Sequence, residues 1–299
     1  MELPLESVPN FSEGRDGATI DALAAALSQR AELLDVHSDP DHNRSVFTLV
    51  GAAGDLVEAL LSGIACARDR IDLRRHEGAH PRIGAADVVP IVALDPADRE
   101  LASDCALGLA ERIGSELELP VFLYGELSPA RGPAFFRRGG PVELQRRIDA
   151  GELRPDFGPQ RLDERAGGVI VGARRPLIAF NVNLESADVE TARAIASAVR
   201  EKGGGFPGVR ALGLALPSTG RTQVSMNVED YEASALHEIV ERVEEEARTR
   251  GVEVAGAELV GLMPAGAAVA AAGAILRIDG FDSSHVLELR LLGRTGTQS

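Results

Sequence analysis

The chain has 299 residues, a hydrophobic fraction of 44% and a formal net charge of −15 at pH 7. This length suffices for two domains with cores of their own, and the negative charge argues against a nucleic-acid partner, because phosphate contacts need a basic surface. We find no signal-peptide pattern and no run of about 20 apolar residues that would span a membrane. Because the few cysteines, Cys66 and Cys105, suit a reducing compartment, we predict a cytoplasmic protein that binds neither membranes nor nucleic acid.

Strand-like alternation and helical spacing follow each other in the same order in both halves of the chain. The first half predicts β-α-β-β-α-β followed by α-β, at Leu3–Val8, Thr19–Leu27, Leu33–His37, Val46–Val50, Asp55–Ile71, Val88–Leu94, Arg99–Leu117 and Val121–Tyr124. The second half again predicts β-α-β-β-α-β, at Val169–Val171 with Leu177–Leu184, Val189–Lys202, Ala211–Ala215, Gln223–Val228, Ser234–Thr249 and Val252–Leu262. Only the element order repeats, since no sequence repeat is visible.

This element order predicts an α/β fold of the α+β type. Each half would form a sandwich-like subdomain, a mostly antiparallel sheet with helices on one face, and a ligand cleft would lie between the two. We place the N-terminal subdomain at residues 1–174 and the C-terminal subdomain at residues 175–299.

A polar loop, R-R-H-E-G-A-H-P-R-I-G-A-A-D-V-V-P at residues 74–90, joins a predicted helix to a predicted strand. His76 to His80 match H-E-x-x-H, in which two histidines one helical turn apart bind zinc and the glutamate activates water. Gly78 and Pro81 oppose the helix that this motif requires, and no third ligand is evident downstream. A zinc hydrolase is therefore one alternative, and we predict no metal.

Seven segments in chain order resemble the formiminotransferase domain of glutamate formimidoyltransferases. They cover nearly the whole chain and are V-P-N-F-S-E-G-R (8–15), H-N-R-S-V-F-T-L-V-G (42–51), H-P-R-I-G-A-A-D-V-V-P (80–90), V-F-L-Y-G-E (121–126), P-D-F-G-P (155–159), G-A-R-R-P-L-I-A-F-N-V-N-L (172–184) and Q-V-S-M-N (223–227).

The resemblance implies transfer of a formimino group between 5-formiminotetrahydrofolate and L-glutamate, forming N-formimidoyl-L-glutamate, in histidine degradation. Tetrahydrofolate would be a co-substrate, without a metal, and the protein would be a homodimer. One alternative is a 5-formyltetrahydrofolate–glutamate formyltransferase, since motif residues do not distinguish =NH from =O on one carbon. Another is a folate-binding protein without turnover.

The resemblance also implies roles for individual residues. His80, in the H-P-R-x-G motif, corresponds to the catalytic histidine, and Gly208 corresponds to a glycine near the folate. The folate-binding loop that follows the D-F-G-P motif corresponds to Gly158, Pro159, Gln160, Arg161, Leu162, Asp163, Glu164, Arg165, Ala166 and Gly167.

Acid–base chemistry fits His80, because histidine takes up and releases a proton near neutral pH. Gly84 would fix the loop, and Arg82 could bind a substrate carboxylate. Asp87 or Asp39 could orient the imidazole. The alternative is that His80 only caps a turn through a backbone hydrogen bond.

Further substrate-binding candidates lie outside this loop. An acidic chain can hold anionic substrates where arginines converge locally, and Arg44 is such a candidate in the loop after Asp39, although that loop could serve only as a turn. Asn181 and Asn183 alternate with apolar residues in a predicted strand, so their side chains face the same way. Polar pairs on one face of a buried strand favour a cleft over a core.

Overall fold

The structure is a computed structural model that describes residues 3–295, with side chains through residue 292. The described chain divides into two units, Leu3–Arg175 and 176–295, each with a sheet and a hydrophobic core of its own. The predicted domain limits also include residues 1, 2 and 296–299, which lie outside the described residues. No helix within the described ranges is long and apolar enough to cross a bilayer.

The N-terminal unit contains a seven-stranded mixed sheet. Its strands are β1 (Leu5–Ser7), β2 (Asn10–Phe11), β3 (Glu32–Asp39), β4 (Arg44–Gly51), β5 (Ala86–Ala93), β6 (Val121–Gly125) and β7 (Val169–Arg174). Its helices are α1 (Gly17–Leu27), α2 (Ala53–Arg70), α3 (Arg99–Glu116), α4 (Pro133–Arg137) and α5 (Gly140–Asp149).

In this sheet β3 pairs with β4, β1 and β2 both lie between β4 and β5, and β7 lies between β5 and β6. The β5–β7 and β6–β7 pairs are parallel, and the other pairs are antiparallel. The break between β1 and β2 contains Pro9, which has no N–H to donate to a neighbouring strand. The predicted strand Val169–Val171 therefore belongs to the first sheet, and its assignment to the second half was wrong.

Helices cover both faces of the N-terminal sheet. Residues of α1, α2 and α3 pack with Val89 and Ile91 of β5 in the main core. Val88 points to the opposite face, because side chains alternate along a strand, and there it packs with Phe122, with Phe136 of α4 and with residues of α5. The prediction of helices on one face is corrected for this unit, since α4 and α5 were not anticipated.

The C-terminal unit confirms the predicted β-α-β-β-α-β order. Its strands β8 (Ile178–Leu184), β9 (Val209–Leu216), β10 (Arg221–Val228) and β11 (Val254–Val260) form an antiparallel sheet in the order β11-β8-β10-β9. Its helices are α6 (Val189–Val199), α7 (Leu236–Thr249), α8 (Ala265–Leu276) and α9 (Leu287–Thr295). Residues of α6 and α7 pack on one face of the sheet, against alternate residues of β8 and β10.

Candidate active site

The loop that carries His80 is not helical. A short 3-10 helix, Leu73–Arg75, ends before His76, and residues 76–80 contain no helical turn. His76 Nε2 hydrogen-bonds to the carbonyl oxygen of Asn43 at 3.1 Å. The helix on which an H-E-x-x-H zinc site depends is therefore missing, and among the described residues no cluster of three or more His, Cys, Asp and Glu side chains could hold a metal ion.

Close backbone contacts hold this loop in place at two glycines. A β-carbon on Gly78 would lie 2.3 Å from the carbonyl oxygen of His42, and one on Gly84 would lie 1.9 Å from that of Gly168. Gly84 also bridges to Gly167, at the end of the predicted folate-binding loop. Gly84 thus lets the two loops approach closely through their backbones, and its role in substrate binding stays a prediction.

Arg82 joins the two loops that meet at the site. Its Nε donates to the carbonyl oxygen of His80 at 3.1 Å, and its Nη2 donates to that of His42 at 3.2 Å. The guanidinium also contacts the ring of His76. Burial lowers the pKa of Arg82 to about 10. Two of its nitrogens donate to the protein backbone, and the side chain also lines the cavity beside His80.

Positive charge surrounds the half-buried imidazole of His80. Burial is the largest cause that lowers its pKa well below 6.5, and Arg44, Arg137 and the nearby ring of His42 lower the pKa further. The His42 and His80 ring centroids lie 5.9 Å apart. His80 is consequently neutral at physiological pH and can accept a proton.

Two measurements should show this lowered pKa. The acid limb of kcat/KM should lie below pH 6.5, because the neutral base persists until the pH falls through its folded-state pKa. Between that pKa and 6.5 the unfolded chain binds a proton at His80 that the folded chain does not, so the unfolding free energy should fall as pH decreases. Rate profiles and urea unfolding between about pH 5 and pH 8 would test both, and His80→Gln should remove the stability component. An acid limb above pH 6.5 would contradict the lowered pKa.

Neither predicted aspartate binds the His80 ring directly. Asp39 accepts hydrogen bonds from the backbone N–H groups of Asp41 and His42, each at 2.8 Å, and lies 3.6 Å from His42 Nδ1. Asp87 accepts from the backbone N–H of Ile83 at 2.7 Å and pairs with Arg137 at 2.5 Å. The direct orientation of His80 suggested by the sequence is thus corrected, because each aspartate acts on a neighbour of His80.

Arg44 and Arg137 supply cationic groups beside His80. The Nε atoms of both are buried and have no hydrogen-bond partner within the described residues. Burial, aided by Arg137, lowers the pKa of Arg44 to about 9, so the side chain remains largely charged at neutral pH. Sequence analysis identified Arg44 but missed Arg137, because α4 lies in a stretch rich in glycine and proline. Buried guanidinium donors near an excess of positive charge are the kind of group that proteins use to bind a carboxylate.

A cavity of ≈ 390 Å³ opens onto His80 within the N-terminal unit. Its lining combines the polar loop with apolar side chains and consists of Leu73, His76, Glu77, Gly78, His80, Pro81, Arg82 and Pro141. The cavity has the size of a small-molecule site.

The predicted folate-binding loop has a fixed base and an exposed tip. Asp163 and Gly167 exchange backbone hydrogen bonds of 3.0 and 2.9 Å, and the Asp163 side chain accepts from the N–H groups of Arg165 and Ala166. Leu162, Ala166 and Gly167 are buried, whereas the exposed residues are Gly158, Pro159, Gln160, Arg161, Asp163, Glu164 and Arg165. The exposed residues are those that a ligand can reach.

Gly208 and the two asparagines lie in the C-terminal unit. Gly208 has a φ of 68°, and a β-carbon there would lie 2.8 Å from the β-carbon of Asp230, so the glycine already has a conformational role. Asn181 and Asn183 share one face of β8, and Val182 between them points into the core.

A histidine with a lowered pKa lies at a small-molecule cavity beside buried arginines, an arrangement that is typical of an enzyme active site. Residues 4–174 match the family model of the formiminotransferase domain, N-terminal subdomain. Residues 179–282 match the family model of the formiminotransferase domain. The chain belongs to the formiminotransferase family.

Curated relatives are similar to this chain along most of its length. The glutamate formimidoyltransferase of Streptococcus pyogenes serotype M1 is 39% identical over 97% of this chain and 99% of its own length. That of Thermoplasma acidophilum is 39% identical over 96% of this chain and 97% of its own. The formimidoyltransferase-cyclodeaminase of Rattus norvegicus is 40% identical over 88% of this chain, which spans 51% of that relative.

Proposed function

We propose that this protein transfers a formimino group between 5-formiminotetrahydrofolate and L-glutamate, as its relatives' name and the family indicate. The observation that carries the proposal is the environment of His80. Its imidazole is kept neutral by burial and by Arg44 and Arg137, which is the state that a general base needs. Histidine degradation is the pathway in which this reaction belongs.

The environment of His80 supports a role for this residue in both proton transfers of the reaction. Neutral His80 accepts a proton from the amino group of glutamate as that nitrogen forms a bond to the formimino carbon. The bond from this carbon to N5 of the folate then breaks, and the imidazolium returns the proton to N5, giving tetrahydrofolate. Because Arg44 and Arg137 destabilise the imidazolium, they favour the return of the proton.

We assign a carboxylate of glutamate to Arg44, with Arg137 beside it. Arg44→Lys should raise the KM for glutamate at least about tenfold, because lysine lacks the planar fork that binds a carboxylate through two parallel hydrogen bonds. Steady-state kinetics at saturating folate would measure the effect.

Arg82→Lys is the matched comparison for Arg44→Lys. Since Arg82 holds backbone carbonyl groups, its replacement should lower kcat and stability more than it raises the KM for glutamate. An unchanged KM in Arg44→Lys would show that other residues hold the acceptor.

A panel of donors tests the proposed reaction against its alternatives. Purified protein is incubated with glutamate and either 5-formiminotetrahydrofolate or 5-formyltetrahydrofolate, and release of tetrahydrofolate is followed. Turnover with the formimino donor supports the proposal, and turnover with the formyl donor alone identifies a formyltransferase. Folate binding without turnover of either donor would identify a non-catalytic binding protein.

We further propose that the exposed part of the loop at residues 158–167 contacts folate, together with the backbone near Gly208. A homodimer, a cytoplasmic location and independence from metal, membrane and nucleic acid also remain proposals. Sedimentation and metal analysis of the purified protein would test the oligomeric state and the metal content.

A further inference from the structure

A second histidine, His42, lies beside His80 and takes no part in the proton transfers described above. It belongs to the turn between β3 and β4, and the centroid of its ring lies 5.9 Å from that of His80, with the two ring planes tilted by 45°. His42 is 5% exposed, so water screens little of any charge on its ring. A charge on this ring would therefore act strongly on the neighbouring imidazole.

Contacts hold the turn that carries His42 against the loop that carries the general base. The carbonyl oxygen of His42 accepts from Arg82 Nη2 at 3.2 Å, and a β-carbon on Gly78 would lie 2.3 Å from the same oxygen. Asn43 Nδ2 donates to the carbonyl oxygen of Glu77 at 2.9 Å. Because the two segments are attached to each other, the two imidazoles are held at a defined separation.

A carboxylate is fixed next to the ring of His42. Asp39 Oδ2 lies 3.6 Å from His42 Nδ1. The other oxygen, Oδ1, accepts from the backbone N–H groups of Asp41 and His42, each at 2.8 Å, so the carboxylate has one orientation. A carboxylate at this distance favours the protonated form of an imidazole.

The charges around His80 act in the opposite direction. The charged and titratable groups around the two rings are Asp39 of β3, Arg44 of β4, Asp87 of β5, Arg137 of α4 and, in the His80 loop, His76, Glu77 and Arg82. Burial, Arg44, Arg137 and His42 lower the pKa of His80, in this order of size. Two neighbouring imidazoles also oppose each other's protonation, so a proton on one ring disfavours a proton on the other.

We propose that His42 is a positioning residue: the two imidazoles share a single proton near neutral pH, and Asp39 keeps this proton on His42 and leaves His80 neutral. The role of His80 as the base rests on the proposed function. His42 neither gains nor loses a proton during turnover. Its charge opposes the imidazolium that His80 forms when it accepts the proton of the amino group, and so favours the return of that proton to N5.

The direct test is an NMR titration of the wild type with its histidine rings labelled, in which the six histidines are assigned by replacing each in turn. His42 should become protonated at a pH at least about 1 unit above that of His80. Asp39→Asn keeps an oxygen for the two backbone N–H groups but removes the charge. It should therefore lower the midpoint of His42 by at least about 0.5 unit. Equal midpoints for the two rings, or the reverse order, would overturn the proposal.

A pH profile of the reaction gives a second test. His42→Gln should move the acid limb of kcat/KM to higher pH by at least about 0.5 unit, because His80 binds a proton more readily without the neighbouring positive charge. A side chain that only fills space would alter stability or kcat without moving the limb. An unmoved limb in His42→Gln would overturn the proposal.

The matched control is His76→Gln, which removes an imidazole that contacts Arg82 and the carbonyl oxygen of Asn43. It should leave the acid limb at its wild-type position. The NMR titration needs no turnover, so it decides the order of protonation even where His42→Gln fails to fold. If neither folate donor is turned over, the proposed function is wrong, whereas the titration still tests the pair of histidines.

Discussion

His80→Ala should lower kcat at least about 100-fold while leaving the protein folded, since a positioned acid–base group contributes about this factor or more. The imidazole borders the cavity, and the hydrogen bonds from Arg82 to the His80 carbonyl and from the Ile83 N–H to Asp87 hold the loop without it. Added imidazole should restore part of the rate by occupying the space that the ring leaves. Turnover assays and thermal unfolding would measure activity and stability.

His76→Ala is the comparison for His80→Ala. His76 contacts Arg82 and the carbonyl oxygen of Asn43 and should cost much less activity. If His80→Ala retained wild-type kcat, the base would have to be another group. Equal, near-complete losses in both variants with loss of bound zinc would instead support a metalloenzyme.

Asp87→Ala should lower the unfolding free energy by about 3–5 kcal/mol, the usual result of removing one partner of a buried ion pair. Asp87 is 3% exposed, pairs with Arg137 and accepts from the N–H of Ile83 in the His80 loop. Its removal would leave a buried guanidinium without its counterion and a buried N–H without its acceptor. Urea unfolding would measure the loss.

Two further variants distinguish the loss of the Asp87–Arg137 ion pair from the general destabilising effect of a substitution. Glu126→Ala removes a partner of Arg99 in a more exposed pair and should cost far less. The double variant Asp87→Leu with Arg137→Met should be more stable than Asp87→Leu alone, because no uncompensated charge remains. A loss for Asp87→Ala no larger than that for Glu126→Ala would show that the pair does not stabilise the fold.

Local patterns in the sequence predicted most elements but not their partners. Alternation and helical spacing located the strands and long helices, since burial of one face imposes both periods. They missed β2, which has only two residues, and α4 and α5, whose sequence is interrupted by glycine and proline. They also placed β7 in the wrong half, because the pairing of a parallel strand is determined by contacts distant in sequence.

The site shows the same limit. Motif chemistry singled out His80, but its pKa is lowered by burial, by Arg44 and also by Arg137, which approaches from a helix that the sequence did not reveal. Residue type also did not reveal that Arg82 donates to two backbone carbonyls of neighbouring loops.

The backbone bridge between Gly84 and Gly167 divides the loop at residues 158–167 into two regions under different constraints. The base of the loop is attached to the segment that presents His80. An insertion or deletion at this attachment would therefore displace the histidine. The tip of the loop, from Pro159 to Arg161, is exposed and lies beyond that attachment. Variation in length and charge can therefore accumulate at the tip without displacing the histidine.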